Sequence, residues 1–324
     1  MSRAGVSGCL ILLWQARQSL VQAIFALVSP KCFLLSSPAC KQQVHCRRDF
    51  SGRMRQPKRQ ILLTNDDGIR SPGLWAAAAA LSELGFVHVV APRQQSSGTG
   101  RSLPSTSDGI IQLEEVCVNG KTWTVHAVGG TPAQAVLHAV LEILPRKPDL
   151  VVSGINYGEN VGSGVTVSGT VGAALEGAAL GVPALAASLE TDQAHHLSYS
   201  TEVDFSTAAY FTAYFARLLL ERRMPADVHA LKLEVPRDAT PNTPWRVTRL
   251  SMHGYFEPVP ARRSSWDEPG PIGYRCAEDW INAEPDSDVY NLRARKLVCV
   301  TPLSLDLTSR VDLAGFEQLL RGQS

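Results

Sequence analysis

Three short polar clusters carry residue types suited to metal-assisted chemistry: Asn65-Asp66-Asp67-Gly68, Gln94-Gln95-Ser96-Ser97-Gly98 and Ser153-Gly154-Ile155-Asn156. Two carboxylates, a hydroxyl and a carboxamide supply oxygen donors of the kind that Mg²⁺ or Mn²⁺ takes. Alone, Asp66-Asp67-Gly68 also reads as a turn, where Asp-Gly is common. A fourth cluster is glycine-rich. It runs Gly158-Glu159-Asn160-Val161-Gly162-Ser163-Gly164 and leads through Ser168-Gly169-Thr170 into a helical pattern. Free N–H groups at a helix start, flanked by hydroxyls, make an anion site. A flexible loop with an ordinary serine cap is the alternative.

The clusters matter because of the elements in front of them. Ile61-Leu62-Leu63 is a continuous apolar run, as expected of a strand covered on both faces. Val87–Ala91 and Leu150–Val152 read as strands too, so all three clusters fall at strand C-termini, where open parallel sheets bind ligands. Pro72-Gly73 opens a helix through Ala76–Ala80 that Gly85 should close. Val116–Val118 and Trp123–Val128 flank Asn119-Gly120 as a hairpin. Thr131-Pro132 caps a helix expected to reach Leu144, and Gly169–Leu180 reads as another closed by Gly181. Pro183–Leu189 is the next strand, Phe205–Arg222 a long amphipathic helix, and Val228–Val235 a strand. Val298–Thr301 and Gly315–Leu320 read as a late strand and a terminal helix. The Pro- and Trp-rich stretch 236–285 has no period and is expected to be irregular and β-rich. The β–α alternation predicts an α/β, Rossmann-like, doubly wound and mostly parallel sheet.

The 324 residues are 44 % hydrophobic and 19 % charged, enough for a substantial core and unlike a disordered chain. The net charge of +1 hides an imbalance. Residues 1–60 hold ten Lys/Arg and one acid, Asp49, leaving 21 basic against 29 acidic residues in the body. An acidic body argues against a nucleic-acid scaffold. The first segment contains Cys9, Cys32, Cys40 and Cys46 and two apolar stretches too short to span a bilayer. It reads either as an organellar transit peptide or as an over-extended start ahead of Met54. Residues 1–56 are therefore expected outside the core, 57–190 as the catalytic domain, and 191–324 as a helical and β-rich oligomerisation region. The expected location is cytoplasmic, or organellar if the leader is genuine. Cys117, Cys276 and Cys299 lack CxxC spacing and read as idle thiols.

Other chemistries fail on spacing. Gly120-Lys121-Thr122 has Glu115 where a P-loop needs glycine, and Leu103 stands where Gly98-Thr99-Gly100 would need a third glycine. No Gly-x-Ser-x-Gly elbow occurs, and the adjacent His195-His196 has no zinc spacing.

At these residues the chain resembles the SurE family of survival proteins, nucleoside 5′/3′-monophosphate phosphatases. The resemblance runs from Ile61 to about Leu307. It is strongest at Leu62–Gly73, Val90–Ser102, Gly130-Thr131-Pro132 and Val151–Glu176, with Val300–Leu303 and Asp306–Thr308 similar to the family's late strand. It implies Asp66, Asp67, Ser97 and Asn156 as ligands of one divalent cation per subunit, and Asn160, Ser168, Gly169 and Thr170 as phosphate contacts. It also implies a C-terminal part that exchanges arms between subunits, giving homodimers or homotetramers. Arg93, Arg101, Gln134, Lys232 and Glu234 depart from the usual family residues, Lys232 and Glu234 replacing two asparagines.

The reading that results is a metal-dependent 5′-nucleotidase of the acid-phosphatase type. It would hydrolyse nucleoside monophosphates with a metal-activated water, Asp66 and Asp67 serving as ligands and not as bases. Two rivals stay open: a haloacid-dehalogenase-like phosphatase, whose carboxylates usually follow an Asp-x-Asp pattern, and a non-enzymatic nucleotide-binding module.

Overall fold

Ile61, Leu62 and Leu63 are fully buried at the centre of strand β1 (Gln60–Thr64), because sheet neighbours and helices cover both its faces. Burying each such side chain stabilises the fold by about 1.5–3 kcal/mol. The computed structural model describes residues 58–118, 120–196 and 199–322. The expected leader, Met54, the first four cysteines and Asn119 lie outside them.

Around β1 the chain builds β2 (Phe86–Pro92), β3 (Ile111–Val118), β4 (Lys121–Val128), β5 (Leu150–Tyr157), β6 (Ala184–Leu189) and β7 (Ala230–Val235). Strands β8 (Trp245–Val247) and β11 (Val298–Leu303) complete a nine-stranded sheet, ordered β3-β4-β2-β1-β5-β6-β7-β11-β8. Pairing from β4 through to β7 is parallel, as expected; β3 with β4 and β7 with β11 are antiparallel. Helices α1 (Pro72–Leu81) and α4 (Ser206–Glu221) pack together, as do α2 (Pro132–His138) and α3 (Gly169–Ala179). The two pairs accompany separate core clusters, one with Leu63, Leu74 and Phe215, the other with Leu62, Val136 and Val171. Alternate residues of β1 thus feed opposite faces, which is double winding. A small hairpin pairs β9 (Phe256–Val259) with β10 (Gly273–Cys276), and α5 (Asp288–Arg293) and α6 (Leu313–Leu320) follow.

Several boundaries differ from the sequence expectation. Helix α1 stops at Leu81, so Gly85 does not close it. Gly85 is needed because a Cβ there would lie 2.5 Å from the Arg59 carbonyl oxygen. Strand β3 starts at Ile111, since half-buried Glu114 and exposed Glu115 interrupt its apolar pattern without ending its pairing. Helix α2 carries the expected Thr131 cap with a reciprocal Gln134 bond, but beyond His138 it widens into a π-helical turn, Ala139–Ile143. Helix α5 was not anticipated. It lies between the Pro-rich stretch and the last strand and is only six residues long.

The strand order reverses between β1 and β5, and that crevice is where such sheets bind ligands. A register shift between Ser153 and Asn156 breaks the β5–β6 ladder and turns the end of β5 out of the regular pleat. None of the described helices is long and apolar enough to cross a membrane.

Candidate active site

Asp66 follows β1 immediately and is 4 % exposed. Its Oδ2 accepts the Thr170 N–H at 3.0 Å and its Oδ1 accepts the Thr170 hydroxyl at 2.5 Å. Its backbone carbonyl accepts the Ser96 N–H at 2.7 Å, which ties the second polar cluster to the first. Gly169 makes this approach possible: a Cβ there would stand 2.8 Å from Asp66 Cβ and 2.9 Å from its Oδ2. Asp67 is 1 % exposed. It accepts from Gln95 Nε2 at 3.2 Å and from the Tyr157 N–H at 3.3 Å, both long bonds. Asn65 shapes the turn itself, its side chain bridging the N–H and carbonyl of Gly68.

Burial raises the pKa of Asp66, and the two Thr170 bonds only partly oppose it. Burial, and after it the charge of Asp66, holds the Asp67 carboxyl well above its ordinary range. Among the described residues neither aspartate is ion-paired to a lysine or arginine. Two adjacent buried carboxylates without a counter-charge suit a divalent cation. Among the described residues no group of three or more His, Cys, Asp or Glu side chains is placed to hold a metal ion. A cation here would therefore take two carboxylates and fill its shell with neutral oxygens, which is the expected donor set. Asn156 fits that role: its Nδ2 donates to the carbonyls of Tyr157 at 3.1 Å and Gly158 at 2.8 Å, leaving Oδ1 as the acceptor.

Asp66, Ser97, Asn156, Asn160 and Ser168 line one cleft of about 390 Å³. Asp67 lies behind this lining, and Thr170 is fully buried against Asp66. Ser97 is exposed at the cleft. Ser168 caps α3 by accepting the Val171 N–H at 3.1 Å, so its own O–H stays free to donate to an anion. Asn160 donates from Nδ2 to Ser188 Oγ at 3.0 Å. Gly169 contributes close approach, and Thr170 orients Asp66 with both of its donors.

The opposite wall was not visible in the sequence. Tyr255, Phe256 and Tyr274, from in and around the β9–β10 hairpin, line the cleft together with His196. Phe256 and Tyr274 meet edge-to-face, 5.6 Å between ring centroids. The His196 Nδ1 lies 2.8 Å from the Tyr274 hydroxyl, and its carbonyl accepts from Gln95, the residue that holds Asp67. Only Gln95 stood in a polar cluster; the aromatic residues come from the stretch without a period. Cys276 and Cys299 are free, and burial raises both thiols, so neither is an activated nucleophile.

Comparison with known proteins gives a consistent set of likenesses. Residues 61–257 match the family described as Survival protein SurE. The chain is 42 % identical to the 5′-nucleotidase SurE of Thermococcus gammatolerans, over 82 % of this chain and 97 % of that one. It is 43 % identical to the protein of the same name from Archaeoglobus fulgidus, covering 78 % and 94 %. The crystal structure of the SurE protein from Aquifex aeolicus superposes with a TM-score of 0.63 at 32 % identity, covering 81 % and 99 %.

Proposed function

We infer the reaction from one premise: the chain belongs to the survival protein SurE family. It is a phosphoric monoester hydrolase of the nucleotidase kind. We propose more specifically that it hydrolyses nucleoside 5′- and 3′-monophosphates to nucleoside and phosphate, and that it needs one divalent cation per subunit, Mg²⁺ or Mn²⁺. The observation that carries this is the buried, uncompensated Asp66–Asp67 pair at the sheet's switch point, with Asn156 and Ser97 on the same cleft.

A cation bound there would supply an acidic water and offset the charge of the phosphate dianion. The remaining work falls to the chain's own side chains. Thr170 and Ser96 fix Asp66, and Gln95 and the Tyr157 N–H fix Asp67, so both carboxylates meet a ligand already oriented. The free Ser168 hydroxyl and the Asn160 side chain are placed to hold phosphate oxygens, with the start of α3 adding its positive end. Phe256 and Tyr274, backed by the buried Tyr255, offer ring faces and edges to a nucleobase, which favours a nucleotide over a smaller ester. A water activated in that way would leave no need for a protein nucleophile, and burial holds up the thiols of Cys276 and Cys299.

The location is proposed to be cytoplasmic, and the assembly a homodimer or homotetramer. Adjacent carboxylates, in place of an Asp-x-Asp arrangement, disfavour the haloacid-dehalogenase alternative. The test is phosphate release from p-nitrophenyl phosphate and a panel of 5′- and 3′-nucleotides, with EDTA and with Mg²⁺ or Mn²⁺ added back. Activity that EDTA abolishes and either metal restores is expected; turnover undiminished in EDTA would refute it.

A further inference from the structure

We propose that the buried cluster Lys232–Glu234–Asp288 is a positioning device for the phosphate-binding loop at residues 158–164; this rests on the reading of the cleft given above. Lys232 and Glu234 stand two apart on β7 and so share one face of the strand. All three side chains are fully buried. Lys232 Nζ lies 3.3 Å from Glu234 Oε1 and 3.0 Å from Asp288 Oδ2.

The same two carboxylates also hold the loop. Glu234 Oε2 accepts the Asn160 N–H at 3.0 Å, and Asp288 Oδ2 accepts the Gly162 N–H at 3.0 Å. Asp288 Oδ1 accepts in addition from the N–H groups of Ser251 and Val289. Val161, between the two tethered peptides, is buried in a cluster with Tyr255, Val289 and Leu292. Asn160 is thus held twice, its N–H by Glu234 and its side-chain amide by Ser188.

Stability alone gives little reason for this arrangement. A buried ion cluster costs much of what it returns, and apolar side chains of similar volume often serve as well. Apolar side chains cannot accept hydrogen bonds from two loop peptides. Two carboxylates alone behind an anion site would repel the anion, and Lys232 offsets one of the two charges. Burial raises Glu234 to about 7, so its charged form depends on Lys232.

The test is Glu234→Ala, assayed with Mg²⁺ for inhibition by inorganic phosphate and for the KM of p-nitrophenyl phosphate and of a nucleoside 5′-monophosphate. The phosphate inhibition constant and both KM values are expected to rise in parallel by about tenfold, the worth of one charge-assisted hydrogen bond. The Mg²⁺ concentration for half-maximal activity should stay within about twofold, as Glu234 touches no proposed ligand. Glu234→Gln keeps an acceptor for the Asn160 N–H and should restore phosphate inhibition to within about threefold. Unchanged phosphate inhibition in Glu234→Ala, or a loss confined to the nucleotide, would overturn the proposal. Should that variant not fold, Glu234→Asp keeps the charge of the cluster and draws the carboxylate one methylene back from the Asn160 N–H. It should weaken phosphate inhibition several-fold, and no change there would equally overturn the proposal. A wild-type enzyme that turns over neither ester would instead refute the reading of the cleft, and this inference with it.

Discussion

Thr170 gives both its N–H and its hydroxyl to Asp66, 104 positions away in the chain, and Gly169 beside it leaves just enough room. Gly169→Ala should therefore push the Asp66 carboxylate out of place. A displacement of about 1 Å at a reacting group costs on the order of 100-fold in rate, while overpacking costs about 1–3 kcal/mol of stability. Measuring kcat/KM beside a urea midpoint checks both, and an active Gly169→Ala enzyme would sink this account of the glycine. Glu234 carries a pH prediction. Its pKa rises from 4.5 unfolded to about 7 folded, so the folded state binds the extra proton. Its contribution to stability is then greatest below pH 4.5 and declines between 4.5 and about 7. Lys232, Asp288, Glu159 and Cys299 face the same cluster, and Lys232 titrates well above that window. Urea unfolding at pH 5 and 7.5 should show wild type losing more stability on going to the higher pH than Glu234→Gln does; identical losses would contradict it. The three polar clusters that contain Asp66, Asp67, Ser97 and Asn156 were legible because each comes soon after an apolar run, while their role as ligands was implied only by the family resemblance. The Thr170 bond to Asp66 and the Lys232 cluster were not, because each depends on residues tens of positions apart meeting in space.

The elements of the parallel half were readable from their apolar runs and caps. Thr131 shows the mechanism: it accepts from Gln134 N–H at 3.2 Å, while Gln134 Oε1 accepts the Thr131 N–H at 3.0 Å. Thr131→Ala should cost about 1 kcal/mol, within the usual range for an N-cap, read as a lowered urea midpoint at unchanged slope. Where elements are short or edge-exposed, the pattern failed. Helix α5 is too brief to show a period, and the β9–β10 hairpin is half-exposed along both strands. That hairpin nevertheless brings the aromatic wall to the cleft. Phe256→Ala with Tyr274→Ala should raise KM for nucleoside monophosphates by about tenfold, stacking being worth about 1–3 kcal/mol per base. The KM for p-nitrophenyl phosphate should move far less. An equal loss on both substrates would mean that the wall shapes the phosphate site and not the nucleoside site.

Among the described residues, one nine-stranded sheet carries the candidate site at its switch point, and the chain after residue 190 extends that same sheet through β7, β11 and β8. Helix α6 has no buried residue, and Leu313, Phe316, Leu319 and Leu320 are all exposed on it. Removing residues 305–324 should reduce an oligomer to monomers by sedimentation velocity; an assembly unaffected by the truncation would put the interface elsewhere. The central claim is that Asp66 and Asp67 together hold the catalytic cation, and Asp67→Asn tests it most directly. The change keeps the size of the side chain and removes its charge. With Mg²⁺ or Mn²⁺ saturating the wild type, phosphate release from a nucleoside 5′-monophosphate should fall by about 1,000-fold or more, as when a charge-stabilising group is lost from an active site. Undiminished turnover in Asp67→Asn would contradict the account.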